Sequence, residues 1–114
     1  LVYQKDGKLS CMTPQAREYM NIHHTNLWEI ACERNSMKRF SHPAACPVEI
    51  SYRAMLAYGR PGEFILDTFA GSGSSLIAAE KCQMNAILIE KNPAFCDAII
   101  KRWEIYTGKK AKLL

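Results

Sequence analysis

An aspartate followed by a loop of glycines and serines is the part of this chain whose residue types point most directly to chemistry. The segment FILDTFAGSGSS (64–75) runs from an apolar stretch into Asp67 and then into a loop that we name the glycine-serine loop, residues 69–73. Gly71 and Gly73 allow the backbone to turn sharply and to approach a ligand closely. The segment therefore predicts a binding loop between a strand and a helix.

Two common phosphate-binding loops do not fit this segment. A phosphate loop ends in Gly-Lys-Ser/Thr, whereas Gly73 is followed here by Ser74 and Ser75. A dinucleotide-binding loop carries a third glycine three residues after the second, and that position is Leu76. A dehydrogenase-type nucleotide domain is therefore the weaker interpretation.

A second carboxylate follows at a meaningful distance. The segment AILIEKNP (86–93) ends an apolar run at Glu90, which lies 19 residues beyond Gly71. In nucleoside-binding α/β folds, an acid about 20 residues past the glycine turn, at the tip of the second strand, holds the ribose hydroxyls. This spacing predicts a ligand that contains adenosine.

The position of Asp67 narrows the choice of ligand. A carboxylate at the carboxyl end of the first strand repels a pyrophosphate and attracts an ammonium group. S-adenosylmethionine has an adenosine, an amino group and a sulfonium cation, and it carries no phosphate. We therefore expect S-adenosylmethionine at this loop. The alternative is an ordinary strand-turn-helix whose helix is capped by a serine.

The whole chain limits the possible protein classes. With 114 residues it has room for one small domain, and 48% apolar with 23% charged residues is the balance of a globular chain. No apolar run reaches the length of a membrane span, and no signal-peptide pattern opens the sequence. We expect a cytoplasmic protein without membrane contact.

The cysteines predict neither a disulfide framework nor a metal site. They are odd in number and contain no Cys-x-x-Cys pair, so we expect reduced, mostly buried thiols. His42 and Cys46 have the spacing of half a zinc site, but no second half is visible. The five cysteines are Cys11, Cys32, Cys46, Cys82 and Cys96.

Basic residues make the chain a candidate for contact with a polyanion. The net charge is +4, and the basic excess lies in the first half of the chain. Arg34, Lys38 and Arg39 fall in a predicted loop, and residues 108–112 (GKKAK) form a basic tail. Such clusters suit nucleic acid, although most charged runs are simply solvated surface.

Elements predicted before the binding loop are a hairpin, two helices and a strand. Asp6-Gly7 favours a hairpin turn, and Thr13-Pro14 is typical of a helix start. Residues 25–30 are a short strand candidate. Helical spacing then links Val48, Tyr52, Met55 and Leu56 in a helix that should end at Gly59.

Around the loop, the pattern alternates between strands and helices. We predict buried strands at residues 64–66 and 86–89 and a helix at residues 76–81. A last helix runs from Pro93 to Gly108, with Phe95, Ile99, Trp103 and Tyr106 as a stripe facing the core. The expected fold class is α/β, a partial Rossmann-like unit with a parallel sheet.

Three segments resemble the cofactor motifs of the DNA amino-methyltransferases, which methylate N6 of adenine or N4 of cytosine. They are HPAACPVEI (42–50), DTFAGSGSSLIAAE (67–80) and LIEKNPAFCDAIIKRWE (88–104). Their order resembles the permuted class, in which the cofactor half follows the catalytic half. IIKRWEIYTGKKA (99–111) is similar to the closing segment of phage and prophage members.

The resemblance implies a role for each matching position. Asp67 is expected to meet the amino end of the methionine, the glycine-serine loop to surround the cofactor, and Glu90 to bind the ribose. Thr68 and Cys46 depart from the residues that the family usually has there. The implied cofactor contacts are His42, Pro43, Pro47, Asp67, Phe69, Ala70, Gly71, Ser72, Gly73, Ser74, Ser75 and Glu90.

The catalytic loop of the family is missing from this sequence. That loop carries Pro-Pro, and no Pro-Pro occurs in the 114 residues. It supplies acceptors for the hydrogens of the target amine, whose lone pair is otherwise delocalised into a base that must be flipped from the duplex. The chain begins with Leu1 rather than methionine, so we expect the cofactor-binding C-terminal half of a longer enzyme.

The expected organisation has two parts. Residues 1–40 are interpreted as a remnant of the catalytic and DNA-recognition half, and residues 41–114 as the S-adenosylmethionine-binding unit. Double-stranded DNA is the expected partner of the complete enzyme, and a homodimer or a separate N-terminal catalytic half is a further possibility. The alternative function is a noncatalytic remnant or partner subunit.

Overall fold

The computed structural model describes residues 14–22, 27–32 and 45–113. The elements are α1 (Pro14–Ile22), α2 (Val48–Tyr58), β1 (Phe64–Asp67), α3 (Ser74–Lys81), β2 (Asn85–Leu88) and α4 (Pro93–Thr107). The predicted hairpin at Asp6-Gly7 lies outside the described residues. None of the helices among those residues is long and apolar enough to cross a membrane.

The two strands form a parallel sheet, as predicted for an α/β fold. In the register of the pair, Phe64 lies opposite Asn85 and Asp67 lies opposite Leu88. Two further hydrogen bonds continue the pairing beyond the strands: Ile89 N donates to Asp67 O at 2.8 Å and Ala70 N donates to Ile89 O at 3.1 Å. The carboxyl ends of the two strands are therefore fixed side by side, which brings both predicted acidic positions to one edge.

The strands are not buried as predicted. Phe64 is 70% exposed, Leu66 65% and Ile87 52%, while the alternate positions along each strand are half-buried. Helix α3 packs against β2, so one face of the sheet is covered. Parallel sheets normally have both faces covered, but within the described ranges these apolar side chains remain exposed on the other face.

The hydrophobic core lies between α2 and α3 and is small. Val48, Ile77 and Ala78 are buried, and Tyr52, Met55 and Trp103 pack against them. Ala78 has no exposed surface. Small alanine and valine side chains allow α2 and α3 to approach closely, and α3 in turn packs against β2.

Helix boundaries agree with the caps in the sequence. The Asn92 side chain accepts a hydrogen bond from Ala94 N at 3.0 Å and Pro93 occupies the first turn, so α4 begins where predicted. Gly108 ends α4 in the left-handed conformation, with φ +72. Gly59 ends α2, also as predicted.

Several local predictions were wrong. Residues 27–30 form no strand, and α3 begins at Ser74, two residues before the predicted start. Its cap is Gly73 in the left-handed conformation, without a side-chain cap bond, so the serine-capped alternative does not hold. Tyr106 is 48% exposed rather than core-facing.

The described thiols are less buried than predicted. Cys32 and Cys46 are exposed, and Cys82 and Cys96 are half-buried. Burial raises the pKa of the Cys82 thiol. The small core explains this result, because it offers little interior volume to the loops and helix ends that carry these residues.

A polar and aromatic cluster joins α1 to α2. The Tyr19 hydroxyl donates to Glu49 Oε1, Arg53 Nε donates to the same oxygen at 2.9 Å, and the Arg53 guanidinium lies 5.3 Å from the centre of the Trp28 ring. Burial alone raises the pKa of Glu49, but hydrogen bonds from Tyr19 and Arg53 lower it overall. The Tyr19 ring also meets Tyr52 edge to face, at 5.9 Å between ring centres.

Candidate functional site

A cavity of about 610 Å³ opens at the carboxyl ends of β1 and β2, beside the start of α3. In α/β folds ligands bind outside the carboxyl ends of the strands, and pockets for small molecules measure about 300–1,000 Å³. The place and size both suit a nucleoside-sized ligand. The wall consists of Cys46, Ser51, Asp67, Thr68, Phe69, Ala70, Gly71, Ser72, Ser74, Ser75, Ile89, Glu90, Lys91 and Phe95.

The carboxylate of Glu90 is held by two backbone N–H groups, one from the glycine-serine loop and one from the segment before α4. Its Oε2 accepts from Gly71 N at 2.8 Å, and its Oε1 accepts from Asn92 N at 2.8 Å. The 19-residue spacing seen in the sequence thus becomes a direct contact between the glycine-serine loop and the tip of β2. A carboxylate has about four acceptor positions, so an acid oriented by two amides retains the capacity to accept from ribose hydroxyls.

Asp67 organises the opposite end of the loop. Its Oδ1 accepts from Phe69 N at 3.0 Å and its Oδ2 accepts from the Ser75 hydroxyl at the start of α3. The carboxylate therefore ties the last residue of β1 to both the loop and the helix that follow. This arrangement holds a negative charge at the cavity wall.

The buried serines are engaged with protein groups. Ser74 Oγ donates to Cys46 O, and the hydroxyls of Ser72 and Ser74 lie 3.2 Å apart. Each hydroxyl has one proton, so the Ser74 and Ser75 protons are directed to protein oxygens rather than into the cavity. These two serines attach α3 to Cys46, two residues before α2, and to Asp67.

Two glycines give the loop its shape. Gly71 and Gly73 have φ angles of +54 and +74, which residues other than glycine rarely adopt. A Cβ atom on Gly73 would lie 3.0 Å from two carbon atoms of Ile99. The loop therefore packs directly on α4, and this contact requires glycine for space as well as conformation.

Most of the predicted cofactor residues share this cavity. Gly73 lies outside the lining residues and faces α4, and Pro47 lies at the start of α2. His42 and Pro43, and the proposed DNA contacts Arg34, Lys38 and Arg39, lie outside the described residues. The predicted residues on the cavity wall are Asp67, Phe69, Ala70, Gly71, Ser72, Ser74, Ser75 and Glu90.

Sequence reasoning missed several wall residues and one residue behind the wall. Ser51, Ile89, Lys91 and Phe95 line the cavity; Ile89 and Lys91 could have been found as the neighbours of Glu90. Phe95 was assigned to the core stripe but is half-buried at the cavity.

Arg102 is the residue behind the wall. It is 7% exposed and donates to Ser72 O at 3.0 Å. Its spacing in the sequence could have identified it as buried, since it lies three residues after Ile99 on the inward face of α4.

The charges of the cavity suit a cationic ligand better than a phosphate. Asp67 and Glu90 supply two carboxylates, and Lys91 is the one basic residue on the described wall. Exposed Phe69 and Ile89 and half-buried Phe95 add apolar surface. S-adenosylmethionine, with an apolar adenine, ribose hydroxyls and a cationic methionine end, fits these residue types. No group of three metal-ligating side chains occurs among the residues that the structure describes.

Curated proteins similar to this chain are type II methyltransferases. The type II methyltransferase M.ScaI of Streptomyces caespitosus is 29% identical over 89% of this chain, and M.MthZI of Methanothermobacter thermautotrophicus is 29% identical over 90%. This chain covers 33% of each relative. It therefore spans about a third of the length of these curated relatives.

Solved structures share the fold. The S-adenosyl-L-methionine complex of TTHA0409, a DNA modification methylase from Thermus thermophilus described as putative, has a TM-score of 0.58 at 24% identity and covers 97% of this chain and 45% of its own. The M1.HpyAVI-SAM complex has a TM-score of 0.54 at 24% identity and covers 59% of this chain and 33% of its own. These similarities establish the architecture.

A family model extends the match along nearly the whole sequence. It describes the DNA methylases of the N6 and N4 methyltransferase type, and it matches residues 1–102. The resemblance first drawn from three motifs is therefore confirmed at the level of the family. This chain belongs to the DNA methylase family of N6 and N4 amino-methyltransferases.

Proposed function

We propose that this chain is the S-adenosylmethionine-binding portion of a DNA methyltransferase that transfers a methyl group to N6 of adenine or N4 of cytosine. Glu90 is the observation that carries the proposal, because two backbone amides orient its carboxylate at the edge of the cavity. Glu90 binds the ribose, while Asp67 faces the amino end of the methionine.

The apolar part of the cavity suits the adenine ring. Half-buried Phe95 and exposed Ile89 contribute apolar surface beside Glu90. Phe69 also lines the cavity and is 90% exposed. An aromatic ring exposed at the rim is positioned to cover a flat ligand once it binds. When bound, S-adenosylmethionine supplies the methyl group, and the chain's own residues hold and orient it.

DNA is the proposed substrate of the complete enzyme. The target base must leave the duplex, and its amine needs acceptors that the Pro-Pro loop of the family provides. The 114 residues contain no Pro-Pro, so methyl transfer requires a catalytic segment beyond them. That segment is either an N-terminal half or a partner chain, and Arg34, Lys38 and Arg39 remain the proposed DNA contacts on this chain.

A noncatalytic role is the second candidate, and the same missing Pro-Pro favours it. In that role the chain binds cofactor or DNA without turnover by itself. Restored methyl transfer on mixing with a chain that carries the Pro-Pro loop would support the methyltransferase; cofactor binding without restored transfer would support the noncatalytic role.

Titration calorimetry with S-adenosylmethionine and its demethylated product tests cofactor binding. Hydrogen bonds to a charged group contribute about 1.5–3 kcal/mol, so Glu90→Gln should weaken binding by about 10- to 100-fold. Asp67→Asn should weaken it as well, through the methionine end. NAD should not compete for the cavity.

Glu104→Gln is the matched control. Glu104 also accepts a backbone amide, from Ala111 N at 3.0 Å, but it lies outside the cavity wall. Its substitution should leave affinity unchanged. Absence of binding heat from the unmodified chain, or equal affinities for Glu90→Gln and Glu104→Gln, would contradict the proposed function.

A further inference from the structure

Arg102 places a positive charge behind the glycine-serine loop. The residue lies on α4 and is 7% exposed. Its Nη1 lies 3.0 Å from Ser72 O, 3.3 Å from Ser72 Oγ and 3.2 Å from Ser74 Oγ. Burying a guanidinium is costly unless hydrogen bonds satisfy it, so three oxygens gathered around one nitrogen indicate a defined attachment point.

The attachment point lies where the loop is intrinsically most flexible. Ser72 is flanked by Gly71 and Gly73, both at positive φ, and glycine loses more conformational freedom on ordering than any other residue. Arg102 fixes the carbonyl of Ser72, while Glu90 fixes the N–H of Gly71. Two consecutive residues of the loop are thus held from opposite sides, by α4 and by the tip of β2.

Both attachments are made by protein groups alone, so they hold this part of the cavity wall without a contribution from a ligand. Ser72 and Gly71 both line the cavity, whereas Arg102 does not. A ligand that meets a preformed wall avoids the entropy of ordering the loop. Release of the Ser72 carbonyl should therefore reduce affinity even though Arg102 makes no ligand contact.

We propose that Arg102 is a positioning residue for the cofactor site, acting through the Ser72 carbonyl to hold the glycine-serine loop in its binding conformation. The inference rests on the proposed function, since it assigns the loop to S-adenosylmethionine. A lysine should replace it only partly: its side chain is shorter and lacks the planar guanidinium.

Arg102→Met and Arg102→Lys test the role, with Lys101→Met as the matched control on the exposed side of α4. Amide hydrogen exchange is measured first without ligand. The N–H groups of Gly71 and Gly73 bond to Glu90 Oε2 and Ala70 O at 2.8 Å each, so they report on loop order. Arg102→Met should accelerate their exchange by about tenfold or more relative to amides in α2.

Calorimetry then measures the affinity for S-adenosylmethionine. Arg102→Met should weaken binding by about tenfold or more, Arg102→Lys should give an intermediate loss, and Lys101→Met should match the unmodified chain. If Arg102→Met fails to fold, the Arg102→Lys comparison carries the test.

Two results would overturn the positioning role. One is loop exchange that rises no more than exchange in α2, which would make Arg102 a general stabilising residue. The other is selectively faster loop exchange with unchanged affinity. If the unmodified chain fails to bind the cofactor, the proposed function fails, and the ligand-free exchange still reports whether Arg102 holds the loop.

Discussion

Gly73 packs closely against Ile99 of α4. It has φ +74, and an added Cβ would meet Ile99 at 3.0 Å. We predict that Gly73→Ala lowers the free energy of unfolding by about 2–5 kcal/mol. A left-handed conformation costs a residue with a side chain about 1–2 kcal/mol, and overpacking adds about 1–3 kcal/mol. Urea denaturation measures the difference.

Gly62→Ala separates conformation from crowding. Gly62 has φ +85, but a Cβ atom added there would have no neighbour within 4 Å. Its substitution should cost only the conformational part, about 1–2 kcal/mol. Equal losses for the two variants would show that Ile99 moves aside without cost and that the close contact has no energetic role.

At the scale of elements, Glu80 connects the end of α3 to α4 and the chain beyond it. Lys109 Nζ lies 3.1 Å from Glu80 Oε1, and Trp103 Nε1 donates to Glu80 Oε2 at 3.2 Å. The hydrogen bond from Lys109 is the main cause that holds the pKa of Glu80 below its ordinary value; burial opposes it, and the bond from Trp103 and the charge of Lys109 lower the pKa further. The charged form of this carboxylate therefore stabilises the packing of α3 on α4.

The lowered pKa predicts the direction of a pH dependence. In the unfolded chain Glu80 protonates near its ordinary pKa of 4.5, and in the folded chain only at lower pH. The stabilisation is fully present above the unfolded value and is lost as pH falls through the folded value. Glu80→Gln should lower the free energy of unfolding by about 0.5–1 kcal/mol at neutral pH, and this difference should disappear in acid.

Urea denaturation from about pH 7 to about pH 3 measures this difference. Asp97→Asn is the control, because Asp97 is an exposed carboxylate on α4, the helix that Glu80 contacts through Trp103. A difference between Glu80→Gln and the unmodified chain that stays constant down to the lowest pH would contradict the linkage.

At the scale of the whole molecule, the sheet leaves an apolar face without cover from the described elements. Four apolar residues are each more than half exposed: Phe64 and Leu66 on β1, Ile87 on β2, and Ile89 directly after β2. The core on the opposite face holds no large side chain that is fully buried among the described residues. A contiguous exposed apolar face of this kind favours association with another surface.

We predict that the 114-residue chain self-associates through this sheet face. Light scattering against concentration should show masses above the 12.9 kDa of the monomer, and Leu66→Ser should shift the equilibrium toward monomer. Leu113→Ser is the control, since Leu113 is fully exposed but lies in the tail. A monodisperse monomer for the unmodified chain, or equal effects of the two substitutions, would contradict this prediction.

The sequence by itself determined the features that depend on neighbouring residues. Apolar runs placed β1 and β2, Pro93 and Gly108 bounded α4, and Gly71 and Gly73 marked a sharp turn. The spacing between Gly71 and Glu90 also succeeded, because one strand-turn-helix-strand unit returns the chain to the same sheet edge. The two residues are joined by a hydrogen bond of 2.8 Å.

Only the tertiary structure decided which groups are buried and which distant groups meet. The strands are apolar enough for a sheet covered on both faces, yet Leu66 is 65% exposed. Arginine is usually a surface residue, yet Arg102 is buried and contacts Ser72, 30 positions earlier in the chain. Burial and long-range hydrogen bonds depend on how whole elements pack against each other, and that packing is not encoded in the type or spacing of any single short segment.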